Sequence, residues 1–308
     1  MLIRIPRAWE IAEHRATPEA VVRRRGTLGR RGLIGGGLAL GLAAPAHARD
    51  YPPGRGVTPK SAVTSYNNFY EFGEDKDIAD AAQALKTTPW TLSIDGLVDH
   101  PLTLDPDQLA KMMPVEQRTL RHRCVEAWAM TVPWTGFPLA ALVAKVSPKP
   151  QARYLRFTSA EQESMPGISS PLYPWPYREG VTLAEATNDL AFLATGMYGG
   201  PLMKQDGAPI RLLLPWKYGF KSAKSLTRIT FTDRQPETFW QSLGPNEYGF
   251  WANVNPDVPH PRWTQSSERL LGSDERVPTQ IFNGYGEWVA GLYKGGAFAQ
   301  MSPQVLFR

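Results

Sequence analysis

Cys124 is the one cysteine in 308 residues, and it stands in the run Arg118-Thr-Leu-Arg121-His122-Arg123-Cys124-Val-Glu126-Ala-Trp128. A thiolate can act as a nucleophile or as a soft metal ligand. The cations just before it predict a thiol biased toward thiolate, because nearby positive charge favours the ionised form. As a nucleophile, Cys124 needs a base. His122 lies two residues away, on the same face if the segment is a strand, so a Cys-His transferase is one reading. As a metal ligand, Cys124 is a lone soft donor. None of the five histidines is spaced with another as a zinc pair, and there is no Cys-x-x-Cys. A cofactor that brings its own sulfurs would complete such a site. The plain alternative is a buried inert cysteine, which leaves the cationic neighbours without a purpose.

Two other stretches carry polar chemistry. Pro215-Trp-Lys217-Tyr-Gly219-Phe-Lys221-Ser222-Ala223-Lys224 places three lysines among a glycine and a serine. Backbone N–H groups and lysines in such a loop suit an anion, although the order of residues is not that of a P-loop. An ordinary solvated turn is the other reading. Ser65-Tyr-Asn67-Asn68-Phe69-Tyr70-Glu71-Phe72 has too many aromatics and amides for a linker. It reads first as a segment packed on the core and second as a cover over a heteroatom-rich ligand. There is no Gly-x-Ser-x-Gly and no Gly-x-Gly-x-x-Gly after a strand, so a serine hydrolase of that type and a dinucleotide fold have no support.

These residues need strands and loops to hold them. Arg118–Arg123 alternates as a strand that delivers Cys124 at its end, where a strand runs into a loop. Trp90–Gly96, Tyr154–Ser159, Leu190–Thr195, Ile210–Leu214 and Ser225–Thr232 also read as strands. Asp105-Pro106 opens a helix, Pro138–Val146 reads as another, and Thr182-Leu-Ala-Glu185 has the capping-box pattern of a third. Glu74–Lys86 reads as partly helical. The tail from Arg234 to Arg308, rich in tryptophan and broken by Pro and Gly, reads as sheet-packing or interface structure. Gly and Pro together are about 18 % of the chain against roughly 12 % on average, which favours a loop-rich mixed fold over a helix bundle.

The front of the chain is different. Arg30-Arg31 precedes Leu33–Ala44, an apolar run of 12 residues, and Ala46-His47-Ala48 follows. The run is too short to span a bilayer and matches a signal peptide of the twin-arginine type, cleaved near residue 48. Of 34 basic and 29 acidic residues, positions 1–48 hold 8 and 3, which leaves 26 of each sign in 49–308. The excess positive charge therefore belongs to the leader, and nucleic acid is not expected as a partner. Residues 49–64 read as an N-terminal arm and 65–308 as the catalytic domain.

Several motifs together carry a resemblance. They are Tyr66-Asn67-Asn68-Phe69-Tyr70-Glu71-Phe72, Arg123-Cys124-Val125-Glu126-Ala127-Trp128, Gly207-Ala208-Pro209-Ile210-Arg211-Leu212, Pro215–Lys221, Asn253-Val254-Asn255-Pro256 and His260-Pro261-Arg262-Trp263. In these the chain resembles the catalytic subunits of the periplasmic protein-methionine-sulfoxide reductases, molybdoenzymes of the sulfite-oxidase fold. The resemblance implies an α+β domain with a mixed sheet around a Mo-molybdopterin cofactor. It makes Cys124 the protein ligand to one molybdenum, with two sulfurs from the pterin. Asn67, Tyr70 and Glu71 would contact the pterin, and Arg211 with Ser222-Ala223-Lys224 would hold its polar end and phosphate. Ser159 stands where threonine is expected and keeps the hydroxyl. Asp206 stands where asparagine is expected, keeping an acceptor and losing a donor. Glu126 and Trp128 would line the substrate mouth. The implied reaction takes oxygen from methionine sulfoxide in oxidised periplasmic proteins and leaves methionine, which repairs a reversible lesion. Electrons would come from a haem-binding membrane subunit fed by quinol, and export would use the twin-arginine machinery. A sulfite-oxidising relative would share the fold and the cysteine, with more basic residues converging on the metal.

Overall fold

The computed structural model describes residues 51–308, so the expected leader lies outside the described residues. Twelve strands follow in order: β1 (Leu92–Gly96), β2 (Leu102–Leu104), β3 (Glu116–Cys124), β4 (Trp128–Pro138), β5 (Tyr154–Ser159), β6 (Arg178–Thr182), β7 (Phe192–Met197), β8 (Gly200–Pro201), β9 (Arg211–Leu213), β10 (Leu226–Thr232), β11 (Ser267–Leu270) and β12 (Arg276–Pro278). They form two sheets. One has the order β2-β1-β10-β5-β6, with β1 and β10 parallel and the other pairs antiparallel. The other runs β12-β11-β4-β7-β8, with β3 added on β4 and β9 on β7. Its one parallel pair is β11 with β4. Short helices join the strands, and the whole is the α+β, mixed-sheet architecture expected.

The first sheet is two-faced because its strands alternate. Leu92, Ile94, Leu155, Phe157, Ile229 and Phe231 are buried on one side. Ser93, Asp95, Arg156, Thr158, Arg228 and Thr230 occupy the other positions of the same strands. In the second sheet β4 is central. It is buried along nearly its whole length, as a strand with neighbours on both edges should be.

The β3–β4 hairpin is what places the cysteine. Its register runs without a break from Glu116↔Gly136 to Cys124↔Trp128. Only Val125, Glu126 and Ala127 lie between the strands. The turn closes with an Ala127 N–H to Cys124 O bond of 3.1 Å and puts Ala127 in the left-handed region at φ 61°. Three-residue hairpin loops commonly need one such residue. Cys124 and Trp128 therefore face each other across the last rung, with Glu126 at the tip of the turn.

One local expectation changes. The segment 51–64 is packed rather than a free arm: Tyr51, Thr58 and Val63 are buried, and the Thr58 N–H donates to Thr131 O of β4 at 2.9 Å. Its proline and glycine content hid these contacts, which pair it with residues far along the chain. Between Glu74 and Lys86 the helical part expected is one 3-10 turn, Ala81–Ala84. The capped helices do appear. Asp105 accepts from the Gln108 N–H and Thr182 from the Glu185 N–H, each closing a capping box.

Candidate active site at the hairpin turn

A cavity of about 380 Å³ opens beside the hairpin turn. β3 and β4 contribute His122, Cys124, Trp128 and Met130. The segment after the helix Lys60–Ser65 contributes Tyr66–Glu71, and the loop after β9 contributes Gly219–Lys224 with the gap of one residue at Lys221. Asp206 and Arg211 close the inner end. The segment 65–72 packs on the core and also faces the cavity. Phe69 and Phe72 join a buried cluster with Ile78, Ala82, Leu85 and Trp90, while Asn67, Asn68, Tyr70 and Glu71 line the cavity.

Cys124 is buried and its sulfur lies 3.5 Å from Asn68 Nδ2 and 3.6 Å from Glu126 Oε2. Burial, and then the Glu126 carboxylate, push its thiol up to about 12. The expectation that the preceding arginines activate it is therefore corrected. Strand alternation turns Arg121 and Arg123 away from the face that carries His122 and Cys124. Arg123 is fully buried, pairs with Glu268 at 2.7 Å and donates to Gln265 Oε1 and Thr279 Oγ1. Arg121 donates to Gln280 and to Asn283 O, and Arg118 is held by Glu116 and Asp189. Each cation already has its own acceptors.

His122 lines the cavity, as its place two residues before Cys124 implies, but no hydrogen bond joins the two side chains among the described residues. Burial, then Arg211 and Lys224, hold its imidazole neutral, down to about 3. Gly219 packs against the ring so closely that a Cβ there would sit 2.4 Å from His122 Nε2.

The inner end carries the polar groups. Asn67 Nδ2 donates to Asp206 Oδ1 at 2.9 Å. Arg211 donates to Asp206 O at 2.8 Å and to Ser222 O at 3.2 Å, and Lys224 donates to Asn68 O at 2.8 Å and Gln205 O at 2.6 Å. Burial dominates the titration of all of them. It lowers Arg211 to about 10 and Lys224 to about 7, and it raises Glu71 to about 7. Burial also raises the Asp206 carboxyl, against Lys224 and Arg211. Of the three lysines in the loop, only Lys224 reaches the cavity. Lys217 pairs with Glu185 at 2.6 Å and Lys221 pairs with Glu179, all four side chains buried. Ser159, at the end of β5, does not line the cavity; its hydroxyl is buried without a partner.

At the mouth, Glu126 is held by Asn68 Nδ2 at 2.9 Å, Lys76 Nζ at 3.0 Å and Trp128 Nε1 at 3.4 Å. Burial alone would raise its carboxyl, but these three donors bring it below the usual range. Tyr70 completes the wall, edge-on to Tyr173 and Trp240, with its phenol raised by burial and by Glu126. Trp263 donates from its indole to Val125 O and is stacked on His260 at 3.8 Å, with Arg262 beside it. Asn68, Lys76, Tyr173 and Trp240 had no signal of their own in the sequence. Asn68 could have been found only as the amide beside Asn67.

Four lining residues hold buried polar atoms that no protein group satisfies: Asn67 Oδ1, Asn68 Oδ1, Asp206 Oδ2 and Arg211 Nε. Leaving such groups unpaired is costly, so the cavity suits a ligand rich in heteroatoms. No three of His, Cys, Asp and Glu come together as a metal site among the described residues. A metal at Cys124 must then bring most of its ligands with it, as a dithiolene-bearing pterin does. The donor set fits Mo-molybdopterin: one soft thiol, an inner end with Arg211, Lys224 and Ser222 for a phosphate, and amides between them.

Comparison with known proteins agrees. Residues 79–240 match the oxidoreductase molybdopterin binding domain. A protein-methionine-sulfoxide reductase catalytic subunit MsrP from Burkholderia mallei is 47 % identical over 93 % of this chain and 94 % of its own length. Proteins of the same name from Ralstonia nicotianae and Gluconobacter oxydans are 51 % identical over 82 % of this chain and 78 % of theirs, and 47 % identical over 91 % and 96 %. Such identity across nearly the whole length establishes common descent, and the chain belongs to the family of protein-methionine-sulfoxide reductase catalytic subunits.

Proposed function

We propose that this protein reduces methionine sulfoxide residues in proteins to methionine, using a Mo-molybdopterin cofactor held in the cavity beside Cys124. The observation that carries the reading is the single thiol beside a set of unsatisfied buried polar atoms, in a chain of this family. The reaction consumes two electrons and two protons and returns a thioether and water. The bound cofactor would supply the two-electron oxygen-atom transfer.

The protein's own groups have separable tasks. Cys124 would be the one protein ligand to the metal, and desolvation at its position suits a thiolate that is neutralised by a metal. Arg211, Lys224 and Ser222, with the Ala223 backbone, would bind the phosphate end. Asn67, Glu71, Tyr70 and Asp206 would meet the pterin heteroatoms. Ser159 would act only from behind the cavity wall. Glu126, pinned by Asn68, Lys76 and the Trp128 indole, would orient the incoming sulfoxide. Trp128, edge-on to Tyr66, offers an aromatic surface on which a methionine side chain packs well.

The mouth favours a neutral substrate over sulfite. Its two cations, Lys76 and Arg262, are each paired with a carboxylate, Glu126 and Glu247. Each carboxylate offsets charge that an anion would seek. The leader motif Arg30-Arg31 and the small-residue pattern at 46–48 support export to the periplasm, folded, by the twin-arginine route. The chain contains no haem motif, iron–sulfur spacing or flavin fingerprint, so its electrons would come from another protein; the resemblance to the family points to a haem-binding membrane subunit drawing on quinol.

The test is elemental analysis of the purified exported protein beside Cys124→Ser, followed by assays on oxidised proteins. About one molybdenum per chain, with metal content or spectrum altered and turnover lost in the variant, is the expected result. Metal-free protein from cells able to make the cofactor would overturn the proposal and bring His122–Cys124 nucleophilic chemistry forward.

A further inference from the structure

A second polar cavity, of about 540 Å³, lies on the outer face of the five-stranded sheet and shares no lining residue with the first. The register explains its composition. Ser93, Arg228, Thr158 and Arg178 stand in one row across β1, β10, β5 and β6. Arg156 sits two residues from Thr158 on β5 and so points to the same face. Neighbouring strands are about 4.8 Å apart and alternate residues about 6.7 Å. Three arginines thus surround the Thr158 hydroxyl at distances their side chains can bridge. All three line the cavity, with Ser93 and Thr227 adding hydroxyls.

Two of these three arginines have no carboxylate partner among the described residues. Arg228 is paired with Asp95 at 3.3 Å. Arg178 has only a 3.4 Å contact to Trp175 O. Arg156 has no hydrogen bond or ion pair to any described residue, and its Nε is buried without a partner. Glu237 lines the rim, yet no ion pair joins it to an arginine. A solvated sheet face can carry single cations without consequence. Three guanidinium groups gathered around one hydroxyl repel one another unless an anion joins them, and a guanidinium presents paired N–H groups that match an oxyanion.

We infer that this face is a binding site for a small oxyanion of phosphate type, seated on the Thr158 hydroxyl between Arg156, Arg178 and Arg228. The Glu237 carboxylate at the rim favours a compact ion over an extended acidic chain, which would have to pass it. The site is independent of the cofactor cavity and of the reaction proposed above.

Isothermal titration calorimetry of the cofactor-loaded protein tests this, at constant ionic strength, with inorganic phosphate in one arm and an oligoglutamate peptide in the other. Using loaded protein keeps Arg211 and Lys224 occupied. Phosphate is expected to bind saturably, with affinity reduced about tenfold or more in R156Q/R178Q while sulfoxide turnover is retained, since each hydrogen bond to a charged group is worth about a factor of ten or more. T158V keeps the charges, removes the hydroxyl and serves if the double variant does not fold; a several-fold loss is expected. Absence of saturable phosphate binding, binding unchanged in R156Q/R178Q and T158V, or binding of the peptide alone would each overturn the assignment.

Discussion

The pair Arg123–Glu268 offers the sharpest test of how the hairpin is held. Arg123 lies directly before Cys124, yet it points to the opposite side of β3 and is wholly buried against Glu268, which is also paired with Arg55. Replacing Glu268 with Gln keeps the shape and removes the charge that balances both arginines. Breaking a buried pair from one side costs about 3–5 kcal/mol, a large part of a total stability of about 5–15 kcal/mol. At about 2–4 °C per kcal/mol for a domain of this size, melting should fall by roughly 6–20 °C. Arg123→Met should cost less, because Glu268 then still has Arg55 and the Thr279 hydroxyl at 3.1 Å. Thermal and urea unfolding of both variants measure this. Alkylation of Cys124 in cofactor-free protein is the second readout. A thiol raised by burial stays slow whether or not Arg123 is present. A cost below about 1 kcal/mol for Glu268→Gln, or a marked slowing of alkylation in Arg123→Met, would refute the structural role and restore Arg123 as an activating cation.

Three more outcomes follow from the site. Glu71 has its carboxyl raised from 4.5 to about 7, so the fold holds that proton more tightly than the unfolded chain. Its contribution is full below pH 4.5 and is lost as pH rises to about 7, a change of about 3 kcal/mol at about 1.4 kcal/mol per pH unit. Urea unfolding of cofactor-free protein across that window should show this loss in the wild type and not in Glu71→Gln; equal pH dependence in both would count against it. Lys224→Met should reduce molybdenum and pterin per folded chain by tenfold or more, whereas Lys221→Met should lower stability by about 3–5 kcal/mol because it strands the buried Glu179, with the cofactor content of the folded fraction kept. Metal analysis beside a melting curve separates the two, and similar cofactor loss in both would refute the distinction. Gly219→Ala forces a Cβ to within 2.4 Å of His122 Nε2, so a cost of about 1–3 kcal/mol and a displaced imidazole resonance are expected; an unshifted resonance would show the ring is not held there.

Local pattern carried much of the fold. Tyr154–Ser159 alternates strictly and is β5 residue for residue, and the two capping boxes close where Asp105-Pro106 and Thr182–Glu185 signal them. These features depend on neighbours within a few positions. The segment 51–64 was misread because its partners, such as Thr131 and Asp189, lie far along the chain. The cavity was legible where a motif is contiguous, as around Cys124 and Asn67. Lys76 and Trp240 reach the mouth from segments whose composition says nothing of it.

By itself, the sequence determined that one thiol sits where a strand runs into a loop, that Glu126 and Trp128 stand just after it, and that basic and amide residues stand ready in two distant loops. It also carried the family motifs. Tertiary structure alone decided which charges act there. Arg123 finds Glu268 across 145 positions and Lys217 finds Glu185, so both leave the cavity, while Lys224 and Arg211 remain. A charge is pulled toward whichever buried partner compensates its desolvation, and that partner is a matter of sheet register and packing that spacing along the chain does not encode.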